Sequence, residues 1–76
     1  MGRTTPTVRQ KIDSISKDCM KMKDMMEPAD GELLERMLNL GKVHSPEINF
    51  SGLPVEFGYL LSIVFELFKI IRDGNR

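Results

Sequence analysis

The chain has one cysteine, one histidine, no tryptophan and no excess of charge of either sign. A single cysteine permits no internal disulfide. One Cys with one His cannot supply the four ligands of a Cys/His zinc site. Long hydrophobic runs are missing too. The apolar C-terminal stretch has an uncharged window of only nine residues, Phe57 to Phe65, before Glu66 and Lys69 interrupt it. A membrane-spanning helix needs about 20 predominantly apolar residues, so no span is expected. Peripheral membrane contact would want a strongly basic polar face beside an apolar one, and no segment shows it. There is no glycine-rich phosphate loop: Gly52, Gly58 and Gly74 stand alone. The opening Met1-Gly2-Arg3-Thr4-Thr5-Pro6 lacks the apolar run of a secretory signal. Arg3 after Gly2, with no second anchor, argues against myristoylation. No cofactor and no metal is expected.

What is present suits one folded domain. The chain has 76 residues, 41% hydrophobic and 29% charged, a composition of folded rather than disordered chains. We expect a single helical domain over 1–76, with 1–5 and 74–76 as flexible ends. Small domains commonly add disulfides, a metal or a partner chain. With the first two excluded, a partner chain or an unusually good helical core remains. The lone cysteine fits a reducing compartment, and a cytoplasmic location is expected.

Eleven basic and eleven acidic residues balance overall but fall in blocks. Residues 1–23 carry six bases against two acids, residues 24–35 five acids and no base, and residues 36–76 five bases against four acids. The basic block holds the candidate nucleic-acid contacts Arg9, Lys17, Lys21 and Lys23. Zero net charge, and a third helix too apolar to serve as a recognition helix, place nucleic-acid binding second.

Apolar residues recur at Val8, Ile12, Ile15, Cys19, Met22 and Met26, with gaps of four, three, four, three and four. That heptad seam predicts a helix over about 6–27, with Thr5 as its cap and Pro6 in its first turn. A strand is excluded, because Lys11, Asp13, Ile15 and Lys17 would share one face. Met-rich sequence suits Cu(I), but methionine more often fills irregular core gaps. A second helix is expected from Asp30, with Leu33, Leu34, Met37, Leu38 and Leu40 on one stripe, ending near 42–44 before Ser45-Pro46. Residues 45–50 read as a short turn or helical turn, with Ile48 and Phe50 plugging the core beneath it.

The third helix opens at Leu53-Pro54 after Ser51-Gly52 and runs to about Arg72. Its polar stripe (Glu56, Ser62, Glu66, Lys69, Asp73) is narrow, so it expects cover on most sides. Two short partner helices cannot provide it. The fold class is therefore all-α, a small bundle of three main helices. Its excess apolar surface suits a homo-oligomer, a dimer first, or another protein. The expected interface residues are Phe57, Gly58, Leu61, Val64, Phe65 and Phe68 on the third helix, with Ile15 and Met22 on the first. Gly58 inside a helix costs up to about 1 kcal/mol against alanine, which points to a close approach there.

No enzyme is expected. A catalytic triad would need His44 beside a nucleophile and an orienting acid, and the adjacent Ser45 reads better as a cap before Pro46. Cys19 lies on the apolar seam, where cysteine behaves as a small hydrophobe. Glu56 and Glu66 are about 15 Å apart along one helix, too far for a paired-carboxylate site.

The start Met1-Gly2-Arg3-Thr4-Thr5-Pro6-Thr7, followed by Arg9, resembles a family of small archaeal helical proteins of unknown function. These begin Met-Gly-Arg-Thr, one variable residue, Pro-Thr. A second helix ending at a histidine (His44) and a final helix led by Pro54-Val55-Glu56 are also similar. The family's first helix is richer in arginine and aromatics, where this chain carries Ile and Met. The resemblance implies an archaeal cytoplasmic protein and carries no catalytic assignment.

Overall fold

The computed structural model describes residues 7–74 and is all-α over them. Helix α1 spans Val8–Cys19 and α2 spans Pro28–Leu40. The seven-residue α3 spans Ser45–Ser51, and α4 spans Val55–Gly74. Two 3-10 segments, Met20–Met25 and Gly41–His44, continue α1 and lead α2 into α3.

Helix α1 starts at Val8 rather than at 6. Its cap is Thr7, whose hydroxyl accepts from the Gln10 N–H at 3.1 Å while the Gln10 side chain accepts from the Thr7 N–H at 2.9 Å. This reciprocal box satisfies two backbone donors at once. Thr5 and Pro6, and the flexible ends expected at 1–5 and 75–76, lie outside the described residues. Gly74, the first residue of the expected end at 74–76, is the last residue of α4. The seam does not run to 27 as one α-helix. Beyond Cys19 the winding tightens to about three residues per turn, which changes the angular register. Met20 and Met26 therefore pack on the core, while Met22 is left 56% exposed.

Helix α2 begins at Pro28, with Glu27 in the cap position, so Asp30 is a first-turn acid and not the cap. Such an acid faces the positive end of the helix dipole. Gly41 has right-handed dihedrals and does not stop the path. It is buried under α4, where a β-carbon would meet Ile63 and stand 2.8 Å from the Tyr59 ring. Only a residue without a side chain lets these backbones approach so closely. The stop comes at Gly52, with φ of 74°. Ser51 steadies that turn: its hydroxyl donates to the Ile48 carbonyl at 2.8 Å and accepts from the Leu53 N–H at 3.1 Å.

The core is Ile12, Leu34, Leu38, Ile48, Tyr59 and Ile63. The Tyr59 hydroxyl donates to the Leu38 carbonyl at 2.6 Å, tying α4 to the end of α2. Burial raises the Tyr59 pKa above its usual value. Phe50, expected in the core, is 93% exposed. In a helix, two residues on from buried Ile48 is a rotation of about 200°, so Phe50 faces away.

The larger correction concerns α4. Its buried positions are Gly58, Tyr59, Ser62 and Ile63. Glu66 and Lys69 also turn toward the body and are part-buried. Much of the expected polar stripe thus faces inward, and the broad apolar face points out. The chain has a radius of gyration of 14.1 Å and is 14 Å through its thinnest dimension. A compact domain of this length would have a radius near 11 Å. The chain is one flat layer with its most hydrophobic helix covered on one side.

Candidate functional site

On α4 the large side chains Phe57, Leu60, Leu61, Val64, Phe68 and Ile71 are each between 51% and 66% exposed. At about 100° per residue, Phe57, Val64 and Ile71 fall on one line. Leu60 lies on one side of it, and Leu61 and Phe68 on the other. Phe65 stands at the edge of this face. Together they form a contiguous apolar strip along the exposed side of α4.

A charged cluster supports its edge. His44 ends the Gly41–His44 turn beside α4. Its Nε2–H donates to Glu66 at 2.5 Å and its Nδ1–H donates to Glu47 at 3.2 Å. An imidazole that donates to carboxylates from both ring nitrogens is the protonated, charged form. Burial opposes that charge, yet hydrogen bonds and charges from Glu66 and Glu47 outweigh it and raise the His44 pKa. The same hydrogen bond lowers Glu66, with help from Lys69 at 3.4 Å. It also lowers Glu47. The Phe65 ring meets His44 edge-on, with centroids 5.5 Å apart, and Lys69 sits 5.7 Å over its face. Phe65 thus packs against both His44 and Lys69 while half of it stays exposed. The carboxylates address different ring nitrogens and do not converge on one point. Among the described residues no group of His, Cys, Asp and Glu could hold a metal.

Between α3 and α4 runs an apolar groove of about 410 Å³. Ile48 and Gly58 line it, Leu61 and Phe65 wall it on the α4 side, and Ser51 and Leu53 stand with them. The groove is continuous with the exposed strip.

Of the expected interface residues, Phe57, Leu61, Val64, Phe65 and Phe68 share the exposed side of α4. Gly58 does not: it is buried, and a β-carbon there would stand 2.7 Å from Ile48 Cγ2. The close approach that its sequence position signals is within the chain. Ile15 is half-buried against the core, and Met22 is exposed on a different element. Leu60 and Ile71 join the strip by the same periodicity. The His44–Glu66 pair spans 22 positions and has no sequence signal. His44 and Glu47, at i,i+3 in a helical turn, do carry one.

The candidate nucleic-acid contacts lie along α1 and the turn after it. Arg9 pairs with Asp13 at 3.4 Å, Lys21 with Asp18 at 3.6 Å, and Lys23 with Glu35 at 3.0 Å. Asp13 also takes Lys42 at 3.3 Å. Lys17 is exposed. Carboxylates of the chain thus pair with three of the four candidate contacts. Cys19 packs half-buried on the core.

No family model, curated protein or solved structure matches this chain. Among the described residues no helix is long and apolar enough to cross a membrane.

Proposed function

We propose that this chain is a small protein-interaction module, not an enzyme, and that it self-associates through the exposed face of α4. The observation that carries this reading is the orientation of α4, polar side in and apolar side out. Half-exposed Phe, Leu, Ile and Val side chains here offer on the order of 100 Å² each. The seven named on this face of α4 approach the ~800 Å² per partner of a stable interface. The single cysteine suits work in a reducing compartment, which fits a cytoplasmic protein.

Sedimentation equilibrium over a concentration range, at low and high salt, tests it. The expected result is a dimer at micromolar concentration that persists in high salt, because apolar burial rather than exposed ion pairs holds it. An 8.7 kDa species at about 100 μM would exclude self-association. The face would then belong to a different protein. A salt-sensitive complex with duplex DNA, tighter than about 10 μM at 0.15 M salt, would favour nucleic-acid binding instead.

A further inference from the structure

We propose that the second copy docks antiparallel, α4 against α4 about a two-fold axis at the level of Val64, and that Phe68 of each chain seats in the other chain's α3–α4 groove. This rests on the self-association reading and adds direction and register to it. The groove lies on one flank of α4, the flank of Leu61 and Phe65, over the N-terminal half of the helix. Because α3 runs back along α4, His44 sits at the level of Glu66 and Ile48 at the level of Gly58. An antiparallel two-fold pair brings together residues equally far before and after Val64, and each flank meets the same flank of the other chain. Phe68 follows Val64 by four positions and leans to the groove flank. It therefore arrives at the level of Leu60, midway along the second copy's groove. Phe57 likewise comes level with Ile71.

The groove selects the direction. A parallel pair exchanges the flanks. It would carry Phe68 to the flank away from the groove and past the level of its last lining residue, Phe65.

Cross-linking decides the direction. In a Cys19→Ala background, Phe57→Cys and Ile71→Cys chains are treated with a bismaleimide of about 10 Å span, singly and mixed. Both positions are exposed in the protomer, so neither change disturbs its core. Antiparallel pairing separates each cysteine from its own copy by about 21 Å along the axis. The expected result is a linked dimer in the mixture and none with either chain alone. Linkage of each chain alone means a parallel dimer and overturns the inference while leaving self-association intact. No linkage in a sample that still sediments as a dimer overturns both the direction and the use of α4. A monomer in sedimentation overturns the parent reading itself. For the groove, Phe68→Ala is expected to weaken dimerisation at least tenfold and Leu60→Ala, on the opposite flank, several-fold less. Equal losses would remove the groove from the contact.

Discussion

His44 stands between two carboxylates from two different helices, and its proton count matters to the fold. In the folded chain Glu66 and Glu47 raise its pKa above 6.5. Its contribution to stability is therefore full below about pH 6.5 and fades as pH rises through the raised folded value. Glu47 and Glu66 are lowered below 4.5, so their contribution is present above that value and fades as pH falls. The cluster stabilises most between these limits. Urea midpoints at fixed protein concentration should show the wild type losing stability from pH 6 to pH 9. His44→Gln should lose less over the same range. Parallel curves for the two proteins would mean that the charged imidazole contributes nothing.

At the scale of an element, glycine inside a helix separates contact from mere tolerance. Gly58 and Gly31 both lie in helices, and both would place a β-carbon 2.7 Å from a neighbour. The neighbours differ. At Gly58 it is Ile48 Cγ2, on a β-branched side chain fixed in the core. At Gly31 it is the Cγ of Lys23, whose side chain is unbranched and ends at the surface on Glu35 at 3.0 Å. Gly31→Ala is expected to be roughly neutral, because turning the Lys23 stem aside offsets the helix-propensity gain of up to about 1 kcal/mol. Gly58→Ala is expected to cost about 1–3 kcal/mol, because overpacking α3 against α4 outweighs that gain. Thermal melts of the two variants give the order. Gly58→Ala melting above the wild type would show that Ile48 yields freely.

For the whole molecule, the proposed pairing of one flat layer through its uncovered apolar helix would tie stability to association. Anything that binds only the folded state raises the apparent stability, so a self-associating fold melts higher as its concentration rises. The melting temperature should climb between about 5 and 200 μM chain. Val64→Asp should abolish that climb. Val64 is exposed in the protomer, so the aspartate leaves the core untouched and meets only the second copy. The variant should still show helical circular dichroism at low temperature. A concentration-independent melt in the wild type would count against any coupling between folding and the α4 face.

Hydrophobic periodicity determined the all-α class, the three main helices and the apolar excess of the last one, because a helix repeats its faces every 3.6 residues and that repeat is written in the chain. Local chemistry also marked the turn at Gly52 and an unusual demand at Gly58. Three things were decided only by tertiary structure. Periodicity shows that α4 has a narrow polar stripe but not which way it points; Tyr59 bonding to Leu38 and Glu66 bonding to His44 turn that stripe inward. The seam of α1 could not show where winding tightens to a 3-10 turn, so Met22, placed by spacing on one seam with Ile15, stands in the fold on a different element and away from the α4 face. The partner of Gly58 is Ile48 and not a second chain. A close approach is a property of two segments, and sequence names only the one that must be small.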